Sequence, residues 1–304
     1  MKFYLLALIL ELFFDVIPET ASIHEYPYIE ELKEKWEIRC WEKEKNRENV
    51  WMFWNLGPRV KESDLEGMNK EQMILFMWEP PTVQKELYEP KTWERFGKIF
   101  TWDDDLVDNK QFFKFYYPVL RPRIENVPPF EQKKFCTLIA RCLSSKDPRE
   151  LYSERKKTIR FFEDRRDEFD LYGMYWGKHK FKNWRGAIGD KLAVLKNYKF
   201  SICYENTRDI KGYVTEKIFD CLAAGVVPVY WGASNITDYV PANCFIDRRQ
   251  FKNNKEMYKF LRKVTKERYE EYLKNAADFL QSEQAQFFSE EYFKKTLSLI
   301  QGSF

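Results

Sequence analysis

The sequence is poor in histidine, and its cysteines are not grouped. It contains two histidines and six cysteines, and no two cysteines form a CxxC pair. This distribution argues against a structural zinc site, whose ligands normally cluster at short spacings. Cys203 and Cys221 lie inside apolar runs, where a free thiol packs as a small hydrophobic group. We therefore expect free thiols and a reducing compartment as the simpler reading.

The chain also lacks a large net charge. Lys and Arg number 51 against 48 Asp and Glu, which leaves a formal charge of +3. No global field would attract nucleic acid, and any anion site must come from local placement of charges. A chain of 304 residues with 44% hydrophobic residues can bury a core and suits two domains.

No long hydrophobic segment opens the sequence. The apolar run Phe3–Phe14 is interrupted by Glu11 and is shorter than the ~20 residues that a membrane-spanning helix needs. It has two alternative readings, a short signal or anchor segment and a buried first strand or helix. We expect a cytoplasmic or membrane-peripheral protein, and peripheral association with a membrane is open to test.

Apolar runs alternate with helix-favouring stretches along the chain. Val50–Trp54 and Met73–Trp78 have the composition of strands, and Glu30–Lys35 that of a helix. This alternation predicts an α/β protein with parallel sheets covered by helices. The pattern restarts after the charged stretch Ser144–Arg149. We therefore predict an N-terminal domain over 1–149, a second domain over 150–275, and a helical C-terminal segment over 276–304.

The strongest local pattern is a strand, a polar loop and a helix between residues 199 and 225. Lys199–Tyr204 predicts the strand, and the helix begins after Thr215, a good N-cap residue, and ends at Gly225. In such a unit the ligand lies at the carboxyl end of the strand, where the free N–H groups of the helix attract an anion. Lys217 adds a full positive charge, which predicts a diphosphate ligand.

Two residues in or near this helix each allow more than one interpretation. Glu216 would repel a phosphate, so it either faces sugar hydroxyls or a developing positive charge, or only complements the helix dipole. Pro228 lies in the next apolar run, Val226–Tyr230, and predicts an irregular or edge strand because proline cannot donate to a sheet ladder.

The stretch from Tyr198 to Gly232 closely resembles the signature block of the α-1,3/1,4-fucosyltransferases, glycosyltransferase family 10. It reads YKFSICYENTRDIKGYVTEKIFDCLAAGVVPVYWG, and it departs conservatively from the family pattern, with Tyr204 where Phe is usual. Weaker similarity extends through Met73–Pro81, Phe100–Pro118 and Glu150–Glu163. The resemblance covers roughly residues 73 to 251.

This resemblance implies a GT-B architecture, in which two Rossmann-like domains face a cleft and the C-terminal half holds the donor nucleotide. It also implies inverting transfer of L-fucose from GDP-fucose to an N-acetylglucosamine- or glucose-type residue of an oligosaccharide acceptor. Glu79 matches the family's candidate general base, which would take the acceptor proton. Without this resemblance, the sequence would indicate only that Glu79 is an acidic surface residue that precedes a turn.

The remaining candidate residues match positions in the donor-binding half of the family's enzymes. Arg155 and Lys217 match cations that contact the donor phosphates, and fixed cations lower the barrier as the leaving diphosphate gains charge. Asn206 and Tyr213 match donor-contacting positions. The resemblance places Glu216 against ribose hydroxyls or the oxocarbenium-like sugar, and Glu205 more simply braces the loop.

The run Asp103–Asp105 invites comparison with the DxD metal motif of another glycosyltransferase class. It lies in a stretch that resembles ordinary family sequence, and Arg155 and Lys217 already supply positive charge. We therefore expect no cofactor and no required metal, with a divalent ion at most stimulatory. Two alternatives stay open: a GT-B enzyme with another nucleotide-sugar donor, and a non-catalytic glycan-binding protein of the same fold.

Overall fold

The computed structural model describes residues 3–6, 50–55, 65 and 67–301. Phe3–Leu6 form a strand, in keeping with the reading of the N-terminal run as a first strand. The rest of that run and the predicted helix Glu30–Lys35 lie outside the described residues. His24 and Cys40 lie outside them as well.

The first compact unit, Met1–Phe115, contains a five-stranded parallel sheet whose strands follow one another in chain order. The strands are β1 (Phe3–Leu6), β2 (Val50–Trp54), β3 (Met73–Met77), β4 (Lys98–Thr101) and β5 (Phe112–Lys114). A short helix, α1 (Pro90–Trp93), precedes β4. The middle strand β3 reads MILFM and is buried throughout, as expected for a strand covered on both faces.

The second unit, Tyr116–Phe304, contains another five-stranded parallel sheet. Its strands are β6 (Lys134–Ile139), β7 (Phe169–Tyr172), β8 (Tyr198–Tyr204), β9 (Val227–Trp231) and β10 (Ile246–Asp247). Their spatial order is β10-β9-β8-β6-β7. The helices of this unit are α2 (Tyr152–Phe162), α3 (Lys191–Leu195), α4 (Glu216–Ala223), α5 (Asn254–Leu261), α6 (Lys266–Leu280), α7 (Glu283–Gln286) and α8 (Glu290–Gln301).

The order of the second sheet creates a switch point between β6 and β8. The chain leaves β6 toward β7 on one side and leaves β8 toward β9 on the other. Right-handed crossovers in opposite directions put α2 and α4 on opposite faces of the sheet. The crevice between the loops that follow β6 and β8 is where open α/β sheets bind their ligands.

The predicted βα unit is present with nearly the expected limits. The hydroxyl of Thr215 accepts a hydrogen bond from the backbone N–H of Lys217, and α4 starts at Glu216. Gly225 closes the helix with a φ of +63°, a left-handed conformation that glycine adopts without strain. A Cβ at Gly225 would also lie 3.1 Å from Val127 Cγ1.

The sequence predicted an irregular or an edge position for Pro228; β9 as a whole is an inner strand, but β10 does not pair with Pro228 itself. The strand that contains it, β9, lies between β8 and β10, and Pro228 pairs in register with Ser201 of β8. On its other side, β10 contributes only Ile246 and Asp247, which pair with Val229 and Tyr230. The short partner therefore begins one residue beyond the proline, which is how an inner strand accommodates it.

The compact units divide the chain between Phe115 and Tyr116. The sequence-based boundary at 149/150 lies inside the second unit, after its first strand β6. The charged stretch Ser144–Arg149 that prompted it forms the connection from β6 to α2. The limit at 275/276 falls within α6, so helix α6 continues across it. In the described part of the chain, no helix is long and apolar enough to cross a membrane.

Candidate active site

A fully buried carboxylate organises the start of α4. Glu205 is the first residue after β8 and is 0% exposed. Its carboxylate accepts hydrogen bonds from the backbone N–H of Thr215 at 3.1 Å and from the Thr215 hydroxyl at 2.8 Å. The backbone N–H of Glu205 in turn donates to the carbonyl of Trp231 at 2.8 Å. Glu205 thus ties the end of β8 to β9 and to the helix start, which matches its expected bracing position.

Lys217 lies at the centre of this arrangement. Its Nζ is 3.1 Å from Glu205 Oε2, 3.3 Å from Glu216 Oε1 and 3.1 Å from Thr215 Oγ1. A buried carboxylate is costly unless a cation and hydrogen bonds compensate it. Lys217 supplies that compensation, and burial notwithstanding, the two carboxylates raise the pKa of its ammonium group.

The carboxylate of Glu216 is ionised near neutral pH. Burial opposes its ionisation, but Lys217 and Lys191 outweigh that effect and lower its pKa to about 2. The carboxylate is partly exposed, on the first turn of α4. It can accept hydrogen bonds from hydroxyl groups or lie opposite a positive charge, but it cannot act as a proton donor near neutral pH.

Arg155 reaches across the switch point from α2. Its guanidinium is buried, and Nη2 donates to the Tyr204 carbonyl at 2.6 Å and to Asn206 Oδ1 at 3.0 Å. These bonds hold the loop after β8 in place. The structure thus brings together Arg155 and Asn206, and groups Glu216 with Lys217. A direct contact of Arg155 with donor phosphate stays a prediction.

Tyr213 precedes α4 in the same loop and is 2% exposed. Its ring packs edge-on against Tyr117, with 6.3 Å between ring centroids. Its carbonyl accepts a hydrogen bond from the Tyr230 hydroxyl at 3.3 Å. These contacts fix the loop that leads into the helix, and a donor contact of Tyr213 stays a prediction.

Glu79 belongs to the first unit, where it follows β3. Asn55, which follows β2 with a φ of +59°, accepts hydrogen bonds through Oδ1 from the backbone N–H of Trp78 at 2.8 Å and of Glu79 at 2.9 Å. The Tyr88 hydroxyl donates to the Glu79 carbonyl at 3.1 Å. The backbone of Glu79 is therefore fixed at the carboxyl end of this sheet, and its partly exposed side chain extends from a rigid position.

The acidic run after β4 has its own partners. Asp104 pairs with Lys114, whose Nζ lies 2.6 Å from Asp104 Oδ1. Asp103 accepts the backbone N–H of Asp105 through Oδ1, and burial raises its pKa to about 6. Across the described residues, no group of three or more His, Cys, Asp or Glu side chains is placed to hold a metal ion.

Sequence reasoning missed several residues that shape these sites. Asn55 positions Glu79, and Lys191 contributes to the low pKa of Glu216 while pairing with Asp220 at 2.7 Å. The only signal for Asn55 was an asparagine directly after an apolar strand, which is compatible with left-handed backbone. Lys191 and Asp220 are far apart in sequence, so nothing local indicated their pairing.

Comparison with known families decides the relationship. Residues 129–299 match the family model described as "Glycosyltransferase family 10 (fucosyltransferase) C-term". The chain belongs to glycosyltransferase family 10. The matched range begins just before β6 and ends at residue 299, within α8, and it includes Arg155, Glu205 and Lys217.

Individual members of glycosyltransferase family 10 are similar over shorter stretches. An α-(1,4)-fucosyltransferase of Arabidopsis thaliana is 39% identical over 72 residues, which cover 24% of this chain and 18% of that protein. The 4-galactosyl-N-acetylglucosaminide 3-α-L-fucosyltransferase 9 of Mus musculus is 29% identical over 142 residues, 45% of this chain and 35% of that protein. The alignments thus span about a third or less of these relatives.

A solved structure of an α1,3-fucosyltransferase with GDP shares the fold. Its TM-score is 0.56 at 15% identity, and the alignment covers 99% of this chain and 89% of that one. The predicted α/β fold of the GT-B class is confirmed by this similarity and by the two parallel sheets.

Gly232 of the family motif is a position where a side chain has no room. A Cβ there would lie 2.5 Å from Glu205 Cγ and closer still to the Tyr230 hydroxyl, and both neighbours are buried. We expect Gly232→Ala to displace Glu205 from Thr215 and Lys217 and to lower the free energy of unfolding by about 1–3 kcal/mol. Urea denaturation would measure the change.

Gly189→Ala is the matched control, since a Cβ at Gly189 meets nothing within 4 Å. The control should stay within about 0.5 kcal/mol of the parent protein. Equal stability of Gly232→Ala and Gly189→Ala would contradict the tight packing of Gly232 on Glu205.

Proposed function

We propose that this protein is an inverting α-1,3- or α-1,4-fucosyltransferase that transfers L-fucose from GDP-fucose to a hydroxyl of an N-acetylglucosamine- or glucose-type residue in a glycan. The observation that carries the proposal is the cluster of Lys217, Glu216 and Glu205 at the start of α4. It combines a cation, two carboxylates and a helix N-terminus at the edge where open α/β sheets bind nucleotides.

In the proposed reaction, the acceptor oxygen attacks the anomeric carbon of fucose as the bond to GDP breaks. The electron pair of that bond leaves with the β-phosphate oxygen, where Lys217 would stabilise the increasing negative charge. The acceptor proton would pass to Glu79 as general base. The pKa of Glu216 is about 2, so its carboxylate is ionised near neutral pH. It is suited to accept hydrogen bonds from donor hydroxyls or to stabilise the positive charge on the sugar.

The donor requirements follow from the same residues. Lys217 and the N–H groups of α4 supply positive charge to the diphosphate, so we propose that no metal ion or other cofactor is required. The relatives whose names specify a fucosyl acceptor act on galactosyl-N-acetylglucosaminide, which supports an acceptor of that class here.

The test of the proposal is a donor screen followed by a turnover assay. We expect GDP-fucose to raise the melting temperature more than GDP-mannose or UDP-sugars, because at equal concentration the ligand with the higher affinity stabilises the folded state more. Adding an N-acetyllactosamine-type acceptor should then release GDP at a measurable rate in the presence of EDTA.

Two results would contradict parts of the proposal. A larger thermal shift with a UDP-sugar would assign the site to another donor. Stabilisation by GDP-fucose without GDP release, over a panel of acceptors, would instead indicate a glycan-binding protein that retains the fold without turnover.

A further inference from the structure

A second group of cations surrounds a cavity of about 570 Å³ in the second unit. The cavity is lined by residues that follow β8 and β10, by Trp231 at the end of β9, and by the first turns of α2. Its basic residues are Lys157, Arg208, Arg248, Arg249 and Lys252. None of them belongs to the Lys217 cluster.

Some of these cations are neutralised by nearby carboxylates. Lys157 pairs with Glu154 at 2.6 Å, and Arg249 pairs with Asp247 at 2.8 Å. Arg208 has a looser partner in its neighbour in sequence, with 3.7 Å from Nε to the carboxylate of Asp209. Pairing of this kind leaves little net charge at those positions.

Arg248 and Lys252 differ, since neither has a carboxylate within ion-pair distance among the described residues. Arg248 is 6% exposed, and it donates from Nη1 to the Phe251 carbonyl at 2.7 Å and from Nη2 to Asn254 Oδ1 at 3.3 Å. Both acceptors are neutral. Its Nε is buried and has no hydrogen-bond partner in the described part of the structure.

A buried guanidinium with only neutral partners is an unfavourable arrangement in an isolated protein. Burial of a charge is costly unless an opposite charge compensates it, and arginine binds oxyanions through several N–H groups at once. The guanidinium groups of Arg248 and Arg208 lie 5.4 Å and 5.7 Å from the ring centre of Trp231, so the indole holds both beside the cavity. An oxyanion in the cavity would place a negative charge beside Arg248, which lines it.

We propose that this cavity binds a tetrahedral oxyanion of the phosphate class, held by Arg248 and Lys252 and separate from the Lys217 cluster. Two cations that line one cavity favour a multiply charged phosphate or sulfate over a single carboxylate. The oxyanion can belong to a nucleotide or to a phosphorylated or sulfated glycan. The site does not depend on fucosyl transfer, so its test needs no turnover.

The test measures melting temperatures of the full chain in increasing inorganic phosphate, with sodium chloride at equal ionic strength as the reference. The parent protein should gain at least about 2 °C at saturating phosphate. Arg248→Met should lose that gain, and Lys252→Ala should lose at least half of it. Lys255→Ala, which changes an exposed lysine on α5, should keep the full gain.

Lys217→Ala removes the cation at α4, so the gain that remains in this variant should be the part that Arg248→Met loses. A parent protein that does not respond to phosphate would overturn the proposal. A full gain in both Arg248→Met and Lys252→Ala would also overturn it. A gain abolished only by Lys217→Ala would overturn it as well, because it would place the anion at α4. If Arg248→Met does not fold, the comparison of Lys252→Ala with Lys255→Ala still decides.

Calorimetric titration of GDP, with and without saturating phosphate, identifies the source of the oxyanion. GDP binding that phosphate weakens in the parent protein but not in Arg248→Met would show that the cavity holds a nucleotide phosphate. GDP binding that phosphate leaves unchanged in both would support an oxyanion carried by a separate ligand, such as an anionic glycan.

Discussion

Lys217→Ala is expected to lower kcat/KM for GDP-fucose by about 100- to 1000-fold. The lysine is the cation at the start of α4, where the leaving diphosphate would gain charge. Losing an interaction that strengthens in the transition state lowers kcat, and losing the part of it already present in the ground state lowers the affinity for the donor. Initial rates of GDP release at varied GDP-fucose concentrations would measure both quantities.

Removing Lys217 also affects stability, because Glu205 is fully buried and Lys217 is its cation at 3.1 Å. Breaking a buried pair on one side costs about 3–5 kcal/mol, so low activity in Lys217→Ala alone would be ambiguous. The double variant Lys217→Met with Glu205→Gln removes both charges. It should recover much of the melting temperature while activity stays low.

The control for Lys217 is Lys274→Ala, an exposed lysine on α6. It should match the parent protein in rate and stability. Full recovery of activity in the double variant would contradict the assignment, since it would show that Lys217 acts only through the stability of Glu205.

Glu79→Gln is expected to reduce kcat by about 100- to 10,000-fold, the range of general base catalysis. Glutamine keeps the shape of the side chain but cannot take a proton. The backbone of residue 79 is fixed by Asn55 and Tyr88, so the substitution should leave the fold unchanged. The GDP-fucose affinity, measured by calorimetry, should change little.

The pH profile separates a base from a residue that only orients the acceptor. In the parent protein, kcat/KM should fall at low pH as the base becomes protonated, and Glu79→Gln should lose that acidic limb. Glu94→Gln, at an exposed position of the same unit, should keep both rate and profile. A Glu79→Gln enzyme with the parent rate would assign the proton transfer to another group.

Local chemistry was predictable where the controlling contacts are close in sequence. The cap at Thr215 and the termination at Gly225 depend on neighbouring residues, and both were found as expected. The inner position of β9 was not predictable from the sequence, because the order of strands is a long-range property. β10 pairs with β9 over two residues, and no pattern in the sequence predicts this pairing.

The candidate site shows the same division. The sequence indicated Lys217 and Glu216 through the motif around the helix start. It could not indicate that Lys217 contacts the buried Glu205, twelve residues earlier, or that Arg155 bonds to Asn206. Nothing in the run FIDRRQF distinguishes Arg248 from a surface arginine. Only its burial and its neutral partners distinguish it from a solvated arginine.

The contacts of Lys217 have a consequence for how quickly product can leave. Its ammonium group is shared between Glu205 and Glu216, so a diphosphate must compete with two carboxylates for it. In the proposed reaction, the same two carboxylates would pair with the lysine again as GDP leaves. This competition would weaken GDP binding while still favouring the more highly charged transition state. Under the proposal, the two carboxylates would therefore speed product release.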